Sequence, residues 1–503
     1  MSDETLRRLK TRLAEVADVQ RAASVLSWDQ HTYMPPGGAA ARAEQLATLS
    51  RIAHERFVDD EVGAMLGALA PWAAERPYDD DDASLVRVTK RDWDRERRIP
   101  AELVAERSRT TAIAFQAWQK ARAANDYASF RPHLEKVVDL SRRLADALGW
   151  VDRPYDALLD LYERDMKTAE VTEVFARLQA ELVPLVQAIA ERAGAVDDSV
   201  LHLDYDEAGQ WAFGEEVITR LGYSFERGRQ DRSAHPFSTT FATTDVRITT
   251  RVQRDQLGMA LFGTIHEAGH AMYEQGIAPE LERTPLAGGC SLGIHESQSR
   301  LWENLVGRGL PFWRHFYPAL QKRFPENLRD VSLDRFYRAV NKVEPSLIRV
   351  EADEVTYHLH VMLRFEIEND MLEGKVSLDD LPDLWNAKME KMLGIRPDSD
   401  ANGVLQDVHW SGGMIGYFPT YTIGTLVSVM LWERAINDVP EIPDAIAAGD
   451  FAPLLGWMRD RVHRHGSKFT GRELVERITG SPAIDHAPFM RYAREKYGRI
   501  YEL

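Results

Sequence analysis

The chain has 503 residues, 44% hydrophobic and 28% charged, the balance of a folded globular protein with ample length for a buried core. Its 79 acidic residues outnumber 62 Lys and Arg, and the net charge of −17 argues against nucleic acid or an anionic membrane as the main partner. One cysteine, Cys290, excludes an intrachain disulfide framework, no run approaches the roughly 18 apolar residues of a membrane span, and the charged start MSDETLRRLK lacks a signal peptide's layout, so a reducing, cytoplasmic setting is expected.

Helical periodicity dominates. Residues 4–26 set Leu6, Leu9, Leu13, Val16 and Val19 at three- and four-residue spacings, one amphipathic stripe. Comparable stretches predict helices over 39–58, 101–124, 128–148, 168–193, 253–275, 292–308, 347–373 and 485–499. Met34-Pro35-Pro36-Gly37-Gly38, Gly276, Pro279 and Pro285 punctuate them. The run Asp79–Asp82 reads as a solvated acidic connector. Strand chemistry stands out once, at Ser238–Val252, where alternation predicts two short strands with a turn near Thr243–Asp245, a small sheet over about 236–252. There is no internal repeat and no Ser/Gly linker. Residues 1–503 are therefore expected to form one catalytic unit of two interwoven helical lobes, mainly α in class.

Residues 261–275 read LFGTIHEAGHAMYEQ. Four helical steps turn about 400° and rise about 6 Å, so His266 and His270 share one helix face, about 40° apart. Two imidazoles so placed suit one tetrahedral zinc, and Glu267 beside them can reach a water at the metal. Gly276 offers a helix stop, while Gly269, a poor helix residue, suggests close approach by a strand or a substrate. A catalytic zinc takes a third protein ligand and keeps its fourth position open. Glu296, 26 residues after His270, is the preferred candidate, because the Pro/Gly-rich loop between them allows a second helix, N-capped by Ser291, to return antiparallel. His295 is the rival.

Residues 403–424, GVLQDVHWSGGMIGYFPTYTIG, set His409, Tyr417 and Tyr421 among glycines, as on a loop lining a cleft. His and Tyr can donate to a developing oxyanion, and Asp407 can orient His409. A forked guanidinium suits a terminal carboxylate, with Arg349 and the strand residue Arg247 as candidates. His358 and His360 read as packed histidines.

Together these residues resemble the carboxypeptidase Taq family of zinc metallocarboxypeptidases. The resemblance runs along most of the chain. It rests on Trp28-Asp29-Gln30-His31-Thr32-Tyr33-Met34-Pro35 with the following RAEQLATLS, on His235-Pro236-Phe237 and on Asp245-Val246-Arg247-Ile248-Thr249. Further along come His266 to His270, His295-Glu296-Ser297-Gln298 and Gly403-Val404-Leu405-Gln406-Asp407-Val408-His409-Trp410. It implies a two-lobed helical zincin, similar to the neurolysin and angiotensin-converting-enzyme type, with a small sheet beside a deep central groove, usually a homodimer. It implies removal of C-terminal amino acids one at a time with broad specificity, with zinc as the metal and cobalt able to substitute. Matched by position, His266, His270 and Glu296 are ligands and Glu267 is the general base. By the same matching, His235-Pro236-Phe237 closes one end of the groove. His409 and Tyr421 fall where related helical peptidases place an oxyanion-stabilising pair; Tyr417 and Arg349 are expected to contact substrate. One position departs: related peptidases carry an aspartate four residues after the ligand glutamate, and Arg300 stands here, leaving open what orients the zinc histidines.

The expected activity is thus release of single amino acids from peptides with a free C-terminus, by zinc-activated water with Glu267 as base. An oligopeptidase or dipeptidyl carboxypeptidase would share the zinc site; amidated peptides, which a carboxypeptidase refuses, separate the two. A non-catalytic zinc-binding helical scaffold would need neither Glu267 nor an open coordination position.

Overall fold

Helix dominates the computed structural model, which describes residues 2–503. The predicted helices are present as Ser2–Thr32, Ala39–Phe57, Ala101–Ala124, Tyr127–Leu148, Thr168–Ala190, Leu257–Gln275, Leu292–Arg300, Tyr357–Leu372 and Ala487–Tyr501. Two differ from the sequence pattern. The stretch expected from residue 347 makes a single turn at Arg349–Glu351 and becomes α-helix only at Tyr357. Asp353 interrupts it, its carboxylate accepting from Val355 N at 2.8 Å and Thr356 N at 3.0 Å in place of a helical ladder. The stretch expected over 292–308 is α-helical to Arg300 and then a π-helix over Leu301–Gly307. The acidic run is not a free connector either. Asp80 accepts from Asp82 N and Ala83 N and caps the helix Asp81–Glu96, whose positive end favours the acids gathered there.

The expected hairpin is joined by a third strand. β1 (Gln230–Arg232), β2 (Ser238–Ala242) and β3 (Asp245–Thr250) form a sheet of order β1-β3-β2. β2 runs antiparallel to β3, with Thr239 opposite Arg247 and an irregularity between Thr240 and Ala242. β1 runs parallel to β3, with Gln230 opposite Ile248.

Packing divides the chain into two compact units, each assembled from three separated stretches. Unit 1 comprises the described residues up to Arg97, Asp198–Val340 and Leu431–Ser481. It holds the sheet and both helices of the His/Glu motif. In it, Leu6, Leu9, Leu13, Leu66, Leu69 and Leu85 share a core with Ile277, Leu281 and Leu286. Burying each such side chain stabilises by about 1.5–3 kcal/mol, so the N-terminal helices pin the Pro/Gly loop that joins the two motif helices. Unit 2 comprises Arg98–Asp197, Asn341–Met430 and Pro482–Leu503. The helix Tyr357–Leu372 is buried on nearly every face within it, which is why its apolar residues show no single stripe. No helix among the described residues is long and apolar enough to cross a membrane.

Candidate active site

The first motif helix, Leu257–Gln275, buries Leu257, Leu261 and Ile265 and ends at Gly276. A Cβ on Gly276 would lie 2.5 Å from His463 Nδ1, so glycine is required there by a neighbour as well as by the helix end. The second motif helix, Leu292–Arg300, starts where Ser291 accepts from Ile294 N at 3.1 Å, as its sequence signals. Gly269 explains how the two meet. A Cβ there would lie 2.7 Å from Ser299 Cα and 2.8 Å from Gln298 O. The backbone that approaches Gly269 is therefore the second motif helix, not a strand or a substrate.

This crossing sets Glu296 opposite the histidines. Glu296 Oε2 is 3.6 Å from His266 Nε2 and 3.4 Å from His270 Nε2, and the donor atoms of the three residues all lie within 4.8 Å of one another. Such a His/His/Glu group could hold a metal ion. His295, the rival ligand, has both nitrogens engaged elsewhere: Nδ1 lies 2.6 Å from His270 Nδ1 and Nε2 lies 3.0 Å from Glu274 Oε1.

The hydrogen bonds around the group fix its tautomers. His295 Nε2–H donates to Glu274, so its Nδ1 accepts from His270 Nδ1–H and leaves His270 Nε2 with a lone pair facing Glu296. His266 Nδ1 lies 2.8 Å from Glu303 Oε2, which turns His266 Nε2 toward the centre. Glu303 sits in the π-helix, a distortion that often accompanies functional sites. Arg300 donates to Glu296 Oε1 at 2.7 Å. Arg300 thus does not replace the missing aspartate; Glu303 and the His295–Glu274 pair orient the imidazoles instead.

The electrostatics follow. Burial, with neighbouring His295 and His266, holds His270 down at about 4, so it is a neutral imidazole. Burial opposes charge on His266, but Glu296, Glu303 and Glu267 outweigh it and raise His266 to about 9. Burial also opposes charge on Glu303 and Glu296, yet Arg300 and His266 keep both ionised, Glu303 at about 2. Glu267 is 7% exposed, and burial, reinforced by Glu296 and Glu303, pushes it up to about 7.

The remaining candidates of unit 1 lie around the sheet. Thr250 Oγ1 of β3 reaches Ala260 O of the first motif helix at 3.4 Å. A Cβ on Gly263, one turn before the motif, would lie 3.9 Å from Pro236 Cγ, so the His235-Pro236-Phe237 loop runs beside that helix. Phe237 N donates to Thr249 Oγ1 at 2.9 Å, and His235 is exposed. Arg247 pairs with both oxygens of Asp245 at 2.9 Å and stacks over Trp28.

In unit 2, Asp407 does not orient His409, whose Nδ1 is 3.7 Å away. Asp407 instead accepts from Arg349 Nε and Nη2 at 3.1 and 2.8 Å and from Arg364 Nε at 2.7 Å. Arg349 is 3% exposed, and its Nη1 donates to Tyr357 Oη at 2.6 Å. Burial and the two guanidiniums push His409 down to about 3 against the pull of Asp407, so it too is a neutral imidazole. Its Nε2 lies 3.2 Å from Tyr421 Oη, and Tyr417 packs against both rings. The sequence did not single out Glu368, which fastens this loop: it accepts from Trp410 Nε1 at 2.9 Å, Gly416 N at 3.1 Å and Tyr155 Oη at 2.7 Å. His358 and His360 are packed in the interior, as expected.

Among known proteins, the thermostable carboxypeptidase 1 of Thermus thermophilus is 42% identical to this chain over 496 residues, 97% of each. The carboxypeptidase 1 of Bacillus subtilis is 36% identical over 491 residues, 98% of this chain and 97% of that protein. The crystal structure of an M32 carboxypeptidase from Deinococcus radiodurans matches with a TM-score of 0.96 and 43% identity, over 99% of this chain and all of that one. Residues 8–497 match the family model described as carboxypeptidase Taq (M32) metallopeptidase. With a mainly helical fold, a His/His/Glu group able to hold a metal, and this match along nearly its whole length, the chain belongs to the carboxypeptidase Taq (M32) family and is a metallocarboxypeptidase, a hydrolase of peptide bonds.

Proposed function

We propose that the enzyme releases single C-terminal amino acids from peptides, with broad specificity, at a zinc centre. The observation that carries this reading is the convergence of His266, His270 and Glu296 with Glu267 beside them. The donor set fits such a metal: two imidazole nitrogens turned toward one point and a carboxylate, each held from behind by a neighbour. Three protein ligands leave one position open, and cobalt would serve in place of zinc. When bound, the ion supplies Lewis acidity, lowering the pKa of a water and polarising the scissile carbonyl.

Glu267 accepts the proton of the attacking water and delivers it to the leaving amine. His409 and Tyr421, a neutral imidazole and a hydroxyl within hydrogen-bond reach of each other, donate to the oxyanion. Tyr417 contacts the peptide, and His235-Pro236-Phe237 limits its length. Arg349 and Arg247, the sequence candidates for the terminal carboxylate, are already paired with Asp407 and Asp245, so either would exchange an internal ion pair for the substrate. The two units act as one catalytic unit, in a cytoplasmic homodimer. The lone buried Cys290 suits a reducing compartment.

The test is a time course of amino acids from an unblocked peptide and from the same peptide amidated at its C-terminus. Stepwise release from the free acid alone is expected; internal fragments, dipeptides or cleavage of the amide would overturn the reading. Glu267→Gln should retain the metal and lower kcat/KM by about 10²–10⁴-fold. Near-normal turnover in that variant would reject the base role.

A further inference from the structure

Buried and half-buried arginines in unit 2 direct their donors at acceptors of the fold. Arg349 and Arg364 share Asp407, Arg153 pairs with Glu373, and Arg142 donates to the carbonyls of Leu372 and Met371. Arg107 does not. It lies partly buried on the helix Ala101–Ala124, and its guanidinium makes no ion pair or hydrogen bond among the described residues. Burial disfavours its charge, and the one ionisable group acting on it is the Tyr162 phenol rather than a carboxylate.

Its surroundings are those of the proposed oxyanion pair. Gly413 has φ +69°, a conformation suited to glycine, and a Cβ there would lie 3.7 Å from Arg107 Nη2. The missing side chain thus leaves the guanidinium against the loop that carries His409. Tyr162 meets Tyr417 edge-on at 5.2 Å, and Tyr417 lies 5.4 Å from both Tyr421 and His409. Burial pushes Tyr162 up to about 12, so its hydroxyl remains a donor. A cation without a counter-ion therefore stands at one end of an aromatic row whose other end is His409 and Tyr421. A partly desolvated guanidinium in that position gains two charge-assisted hydrogen bonds when a carboxylate docks on its fork.

We propose that Arg107, beside Tyr162 and the Gly413 turn, is a recognition site for a carboxylate of the peptide substrate, either the terminal one or an acidic side chain near the scissile bond. The assignment rests on the peptidase reading above. Its test is calorimetric binding of four peptides, carrying Glu or Gln at the penultimate position and ending in a free acid or an amide, to metal-loaded Glu267→Gln enzyme. The same peptides are titrated into that enzyme with Arg107→Met or Arg107→Lys added. Arg107→Met should raise Kd about 10–100-fold, with Arg107→Lys recovering part of the loss. A loss confined to the free acids identifies the terminal carboxylate; a loss confined to the Glu peptides identifies the side chain. Unchanged Kd for all four, in a variant that melts like its parent, overturns the assignment. Because binding needs no turnover, a native enzyme that released no amino acid would count against the peptidase reading and leave this measurement decisive on its own.

Discussion

Asp407→Asn should be among the most damaging single changes in unit 2, and Arg364→Met among the milder ones at the same cluster. One carboxylate there faces two guanidiniums, with Arg364 0% exposed and Arg349 3%. Since His409 is neutral, the cluster carries one net positive charge. The excess shows in Arg364, which burial first and then Arg349 hold down at about 10 despite Asp407. Asp407→Asn leaves two like charges together with no anion. Removing one partner of a buried pair costs about 3–5 kcal/mol, and two pairs lose their anion here, so the upper end applies. Arg364→Met leaves a neutral Arg349–Asp407 pair and removes the desolvation of one cation, for an expected loss of about 0–2 kcal/mol. Urea denaturation followed by tryptophan fluorescence reads the difference locally, because Arg364 lies 4.5 Å over Trp385, which packs on Trp410 at 5.8 Å. If Arg364→Met proves as costly as Asp407→Asn, the charge reasoning is refuted.

Three other outcomes are expected. Glu303→Gln, which keeps the shape but not the charge behind His266, should weaken metal affinity about 10–100-fold in a chelator competition, and unchanged affinity would remove Glu303 from any orienting role. Gly269→Ala gains about 1 kcal/mol of helix propensity but drives a methyl into the Ser299 backbone, so calorimetry should show a lower Tm from about 1–3 kcal/mol of overpacking; a higher Tm would contradict the close crossing. Glu368 is raised by burial from 4.5 to about 7, so the folded state holds its proton more tightly than the unfolded chain does. Its contribution is fully present below about pH 4.5 and is lost as pH climbs to about 7, a change of about 3 kcal/mol. Stability of Glu368→Gln should therefore fall less over that window than the native enzyme's; parallel profiles would exclude the raised carboxyl.

The first motif helix was legible because one stretch supplies the whole pattern: a one-turn His spacing and a Gly stop. Glu296 was legible because Ser291 announces the start of its helix. What oriented the histidines was not, because those contacts join residues far apart in sequence, such as His266 with Glu303 and His270 with His295. A trace existed: Glu274 follows His270 by four residues and so shares its helix side, which nothing local marks as important. β1 escaped because a three-residue parallel strand has too little length for alternation to show. The π-turn escaped because Leu301–Gly307 carries an ordinary helical pattern. Arg349 looked available in the sequence; its pairing with Asp407 is a contact over 58 residues.

The threefold threading of each unit bears on how the chain is made. Unit 1 lacks its last stretch until Leu431–Ser481 has left the ribosome, and unit 2 waits for Pro482–Leu503. At bacterial-to-eukaryotic translation speeds that is about 25–100 s of synthesis during which neither unit is complete. Nascent leucine-rich helices must stay shielded or loosely docked for that interval, so chaperone demand should exceed that of a bead-like multidomain protein of equal length. Cutting the gene into an amino-terminal and a carboxy-terminal half should yield two insoluble pieces that recover activity only when coexpressed.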